Sequence, residues 1–114
     1  MIQRFEKVPI YLESRDLLKM CHEVTNKFPK TYKFTLGGDI RKYILKLTET
    51  IFLNLNEIKR KEHFDTIELL CNQLTICFRI CLDLNLVQQK DYIQVLSKID
   101  SVAKHSKRWQ NSKA

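Results

Sequence analysis

The sequence predicts an all-α protein, folded as an up-down-up-down antiparallel four-helix bundle. Its 114 residues include only two glycines and two prolines, fewer than the turns of a β-rich chain require. Apolar residues recur at helical spacing in four segments that short polar connections separate, and short connections make neighbouring helices antiparallel. A hydrophobic share of 44% suffices for one core. We therefore expect one domain over residues 1–109 and a frayed polar tail over 110–114.

The first two helices are delimited by their terminal residues. The first opens at Pro9, since proline suits the first turn of a helix, and Pro29 stops it. Its apolar stripe is Ile10, Leu17, Cys21, Val24 and Phe28. The second starts near Thr35 and ends in the basic run 59–61. Its stripe is Leu36, Ile40, Tyr43, Ile44, Leu47, Ile51, Leu55 and Ile58.

The third and fourth helices differ in how apolar they are. The third runs from Phe64 or Asp65 to Asn85, with the stripe Ile67, Leu70, Cys71, Leu74, Phe78 and Cys81. The fourth follows residues 85–91 and fades after Ala103, with the stripe Tyr92, Ile93, Leu96, Ile99, Val102 and Ala103. Only the third carries a second apolar set, which exceeds what a monomeric bundle helix needs. We therefore predict self-association through Leu69, Ile76 and Ile80.

The paired glycines Gly37 and Gly38 raise the question of a phosphate-binding loop. Nucleotide-binding glycine motifs need other spacings and a preceding strand, which this stretch lacks. We favour a helix start instead, in which Thr35 is the cap, Asp39 interacts with the helix dipole, and the glycines allow close packing.

Metal, cofactor and catalytic sites are not predicted. Three of the cysteines, Cys71, Cys77 and Cys81, lie among apolar residues, and the spacing forms no CxxC pair. Buried thiols acting as small hydrophobes explain them better than a metal or redox site, although that second possibility stays open. No Ser, His and Asp set or carboxylate pair has catalytic spacing, so we expect a non-enzyme. Without a membrane-length apolar run or a signal-peptide core, we expect a cytoplasmic protein.

The net charge of +7 favours a polyanionic partner. In the predicted topology, both termini and the junction of helices two and three lie at one end, which gathers cations. The predicted nucleic-acid contacts there are Arg4, Lys7, Lys59, Arg60, Lys61, Lys104, Lys107 and Arg108. A solvated charged face is the alternative. Trp109 either stacks on a base or covers an apolar edge, and we favour packing.

Arg79 stands out inside the apolar third helix. It either pairs with Asp83 one turn later or contacts an anion or a partner, and the sequence favours neither.

The order of three features resembles a known family. Phe28-Pro29 is followed by Phe34-Thr35-Leu36-Gly37, Arg79 lies within an apolar third helix, and Trp109 comes just past the predicted end of the last helix. From about Val8 to Trp109, the chain resembles the accessory variability proteins of diversity-generating retroelements. These belong with the four-helix-bundle proteins encoded in ribosomal RNA intervening sequences.

This resemblance implies a homopentameric barrel that binds the retroelement's reverse transcriptase and its template RNA or cDNA, and so supports mutagenic copying. The positions that it implies as contacts are Arg79 and the basic terminal cluster, and we also count Trp109 among the candidate contact residues. The runner-up is a structural bundle of the intervening-sequence type that docks on RNA without a polymerase partner. Residues 105–108 depart from the family, which often has a glycine-rich stretch before the tryptophan.

Overall fold

The computed structural model describes residues 8–56 and 60–112. Within these ranges there is no β-strand, and five helices follow one another. They are α1 (Pro9–Asn26), α2 (Lys30–Lys33), α3 (Leu36–Asn56), α4 (Lys61–Asp83) and α5 (Gln89–Asn111). Four are long, and α2 is a single turn. The prediction of an all-helical domain with four long helices is confirmed.

Contacts between helices establish the antiparallel order. Ser101 of α5 donates a hydrogen bond to Glu13 of α1, while Lys98 lies 3.9 Å from Asp16. Residue numbers thus rise along α1 as they fall along α5. The beginning of α4 likewise meets the end of α5, because Phe64 packs on Trp109. Helix α1 packs between α3 and α5, and α4 also packs between α3 and α5. Helices α1 and α4 therefore occupy opposite corners of the bundle.

One core runs along the bundle axis. Its fully or nearly fully buried apolar side chains include Leu17, Cys21, Ile40, Ile44, Leu47, Ile51, Ile67, Leu74, Phe78, Cys81, Val95, Ile99 and Val102. The predicted stripes of α1, α3 and α4 face this core. The stripe of α5 is partly wrong, since Ile93 is exposed and Val95 is buried. The spacing of Tyr92, Val95, Ile99 and Val102 is the one that keeps a single helical face inward.

The paired glycines lie in the first turn of α3. A β-carbon added to Gly37 would lie 3.1 Å from the carbonyl oxygen of Tyr32, so the predicted close packing applies there. Nothing lies within 4 Å of one added to Gly38. The Thr35 carbonyl accepts the first helical hydrogen bond, from Asp39. Its hydroxyl points back instead and donates to Thr31, because the unpredicted turn α2 offers a carbonyl there.

Two helices extend beyond their predicted bounds. Helix α4 begins at Lys61, three or four residues before the predicted start at Phe64 or Asp65. Helix α5 continues through Asn111, well past the expected fading after Ala103. The residues added to both helices are mostly polar. The packing of Phe64 on Trp109 supplies an apolar contact where these two helix ends meet. The predicted stripe residue Ile58 lies outside the described residues.

Candidate nucleic-acid interface

The predicted terminal cluster is split between two helices at one end of the bundle. Arg60 and Lys61 lie at the start of α4, and Lys104, Lys107 and Arg108 lie in the last turns of α5. The contact between Phe64 and Trp109 brings these two helix ends together. Arg4, Lys7 and Lys59 were also predicted for this cluster, and they lie outside the described residues.

Carboxylates accompany the described lysines of this end. The exposed ion pairs are Lys61–Asp65 at 3.0 Å, Lys104–Asp100 at 3.0 Å and Lys107–Glu68 at 2.9 Å. The hydrogen bond from Lys61 to Asp65 also raises the pKa of Lys61. Two of these acids, Glu68 and Asp100, come from outside the run of residues that suggested a basic end. A lysine already paired with a carboxylate attracts a phosphate less strongly, so this part of the surface is less basic than the sequence suggested.

Trp109 is half-buried and packs edge-to-face against Phe64, with the ring centroids 5.1 Å apart and the planes at 80°. This is a favoured arrangement for an aromatic pair. The contact favours the apolar-edge alternative over base stacking, since the indole closes the junction of α4 and α5.

Arg79 lies near the other end of α4 from Lys61. Eighteen residues separate the two along one helix, which corresponds to about 27 Å. The guanidinium donates a hydrogen bond of 3.4 Å to the Tyr92 hydroxyl on α5. That bond raises the pKa of Arg79, and the nearby Asp83 contributes further. Arg79 and the terminal cluster therefore do not form one continuous site.

The predicted oligomer residues form an exposed apolar stripe on α4. Leu69, Ile76 and Ile80 expose 56%, 60% and 42% of their surface. Their spacing of seven and four residues aligns them along one side of the helix. Large apolar side chains aligned in this way are typical of an interaction surface.

A second basic surface was missed by the sequence interpretation. Residues 19–46 hold seven lysines and arginines but only Glu23 and Asp39 as acids. We define the connection surface as the lysines of this stretch around α2 and the start of α3, with one aromatic residue: Lys27, Lys30, Lys33, Phe34, Lys42 and Lys46. Within the described residues, none of these lysines has a carboxylate at ion-pair distance. The local charge count was the signal that would have revealed this surface.

All four cysteines are reduced and buried. Burial raises the pKa of Cys21, Cys71 and Cys81 to about 12, with smaller contributions from neighbouring groups. Among the described residues, no group of three or more His, Cys, Asp or Glu side chains could hold a metal ion. The thiols therefore pack as small apolar groups in the core, as the sequence favoured.

Comparison with known proteins does not assign this chain to a family. Neither a protein-family model nor a curated protein matches the chain. The family resemblance therefore remains an expectation from particular residues. None of the helices in the described ranges combines the length and apolar character needed to cross a membrane.

A cleft of about 440 Å³ opens between the second half of α1 and the connection from α4 to α5. It lies at the same end of the bundle as the connection surface, and Lys27 is part of its lining. Glu23 and Asp91 line it as well, so the cleft itself does not attract an anion.

Proposed function

We propose that this chain is a non-catalytic, cytoplasmic accessory protein that self-associates and binds nucleic acid together with a reverse transcriptase. The observation that carries the proposal is the exposed apolar stripe of α4 on a strongly basic chain. The stripe supports association with further copies, and the charge supports binding to phosphate backbones. The polymerase partner, the retroelement and the number of five subunits follow from the family resemblance.

A closed ring requires two different surfaces on each subunit, because its interfaces are head-to-tail. The chain offers a second set of exposed apolar side chains away from the stripe, namely Leu12 on α1 and Leu45 and Leu53 on α3. Of these, Leu12 lies on the helix at the corner opposite α4, whereas α3 neighbours both α1 and α4. Exposed apolar side chains outside the stripe supply the second surface that a ring would need.

Binding to phosphates in this proposal is electrostatic and largely independent of sequence. Lysines neutralise phosphate charges and release counterions, so the affinity falls steeply with salt. No catalytic group is required, since the protein would act by holding the polymerase and its template together.

The reverse transcriptase claim is tested by co-expression. The polymerase is the one encoded nearest to this chain's gene, beside a repeated template and variable region. We expect this polymerase to co-purify with the tagged chain and to remain bound after nuclease treatment. Absence of such a polymerase gene, or RNA capture without polymerase, would instead support the structural RNA-docking bundle.

A further inference from the structure

The connection surface differs from the terminal end in the availability of its charges. At the terminal end, Lys61, Lys104 and Lys107 each have a carboxylate partner. The five lysines of the connection surface have none within the described residues, and four of them are exposed, with Lys33 half-exposed. Unpaired lysines on an exposed surface are available to phosphates without first breaking an ion pair.

Arg41 holds the end of α2, at Lys33, in place. Its guanidinium donates one hydrogen bond of 3.0 Å to the Thr25 hydroxyl of α1 and another of 2.8 Å to the carbonyl oxygen of Lys33. Arg41 therefore ties α1, α2 and α3 together rather than serving as a surface charge. A surface fixed in this way loses little conformational freedom when a ligand binds.

Phe34 is the aromatic component of the connection surface. It directly follows Lys33 and exposes 69% of its surface, more than any other large hydrophobic residue in the described ranges. Its neighbours Thr31 and Thr35 are exposed polar residues. An isolated exposed ring beside lysines suits stacking on a base, because every base presents a π-face while its backbone presents phosphates.

We infer that the connection surface is a binding site for single-stranded nucleic acid. Its lysines contact successive phosphates, and one base stacks on Phe34. This inference rests on the nucleic-acid binding of the proposed function and assigns it to this end of the molecule. A membrane surface fits less well, since α2 is a single turn and lacks an apolar face of its own.

An acidic protein is the other polyanion to consider. Protein interfaces usually have an apolar centre with aromatic and aliphatic side chains together. Here the exposed apolar side chains, Phe34 and Leu45, lie eleven residues apart in sequence, and each has lysines as near neighbours in the chain. The combination of dispersed lysines and one ring therefore favours the nucleic acid.

The test is fluorescence anisotropy with a labelled oligouridylate, measured across a salt series. Two variants with equal charge change are compared: Lys30→Gln/Lys33→Gln/Lys42→Gln in the connection surface, and Lys61→Gln/Lys104→Gln/Lys107→Gln at the terminal end. We expect the first variant to lose most of the affinity and to reduce the salt slope by about 2, at roughly 0.7 per lost phosphate contact on a single strand. The second should change affinity only slightly.

Stacking of a base on Phe34 is tested with two further variants. Phe34→Ala should weaken binding about 5- to 150-fold, in line with about 1–3 kcal/mol for one base stacked on an aromatic ring. Phe34→Tyr keeps the ring and should restore the affinity. Because all of these side chains lie at the surface, circular dichroism and the thermal midpoint should match the wild type.

Each alternative outcome has a defined meaning. Equal losses in both lysine variants, or a larger loss at the terminal end, would overturn the inference while nucleic-acid binding stands. Binding of an RNA–DNA duplex but not of the single strand would have the same meaning. Tighter binding of poly-glutamate than of oligouridylate would indicate that the partner of this surface is an acidic protein rather than a nucleic acid. No binding of any strand or duplex would remove the nucleic-acid part of the proposed function itself.

Discussion

At the scale of single residues, Asn85 shows how α4 ends. Its φ of 60° lies in the left-handed region, and the Leu86 amide donates to the carbonyl oxygen of Cys81 at 2.8 Å. The Asn85 amide donates to Leu82, which completes the hydrogen-bond pattern of a Schellman motif. Asparagine tolerates this conformation better than most residues, and glycine tolerates it best.

We predict opposite effects for two substitutions at Asn85. Asn85→Gly should stabilise the fold by a few tenths to about 1 kcal/mol, and Asn85→Ala should destabilise it by about 1 kcal/mol, because only glycine avoids the β-carbon penalty. Urea unfolding of the two variants and the wild type gives the comparison. Equal stability of the alanine and glycine variants would contradict the left-handed conformation.

The buried cysteines give the protein a pH dependence. In the unfolded chain their thiols ionise near 9.0, whereas burial raises the folded pKa of Cys21, Cys71 and Cys81 to about 12. The folded state thus holds protons that the unfolded state has released. The contribution of these thiols to stability is complete below about pH 9 and is lost as pH rises toward 12.

We therefore expect the free energy of unfolding to fall with alkaline pH, and to fall less steeply in a Cys71→Ala/Cys81→Ala variant. The comparison of the two slopes cancels the contribution of every ionisable group that both proteins share. The native thiols should also resist alkylation until the chain unfolds. Identical slopes in the two proteins, or rapid alkylation of the native state, would contradict the burial of the cysteines.

At the scale of elements, apolar periodicity predicted the helices and their inward faces well. Apolar periodicity did not predict the helical turns that consist mainly of polar residues, namely α2, the first turn of α4 and the end of α5. Those turns depend on tertiary contacts, such as the bond between Arg41 and Lys33 and the packing of Trp109 on Phe64, which no local pattern contains. The exposed stripe of α4 could be predicted because the sequence of this helix contains a second set of apolar residues beyond the set that faces the core.

The end of α5 should depend on Trp109. Trp109→Ala should destabilise the protein by about 1–3 kcal/mol, since the indole is only half-buried, and should fray the last turns of α5. Hydrogen exchange of residues 105–111 reports this fraying directly. Trp109→Phe keeps an aromatic contact and is the matched control. Indole fluorescence that changes strongly on RNA binding, without fraying in the alanine variant, would instead support base stacking.

The stripe of α4 should control association. Leu69→Gln/Ile76→Gln/Ile80→Gln should yield a folded monomer, because it removes apolar area from the surface without touching the core. Ile93→Gln on α5 is the matched control, since Ile93 is 57% exposed but lies off the stripe. Sedimentation velocity at micromolar concentration measures the outcome. A wild-type monomer, or a triple variant that associates like the wild type, would contradict this role.

At the scale of the whole molecule, charge was the hardest property to predict. The sequence interpretation counted cations by chain position and placed the basic surface at the termini. In the fold, Glu68 on α4 pairs with Lys107 on α5, 39 residues away in sequence, so carboxylates from neighbouring helices reduce the local charge. The connection surface remains basic because none of its five lysines lies at ion-pair distance from a carboxylate of the described residues.

Association and nucleic-acid binding together form the central claim, since neither alone makes an accessory scaffold. Size-exclusion chromatography with light scattering tests both in one experiment, with and without a short RNA–DNA duplex and across a salt series. We expect a stable oligomer near five subunits, as the family resemblance implies, which binds the duplex at low salt and releases it as salt rises. A monomer that elutes unchanged beside the duplex at every salt concentration would contradict the claim.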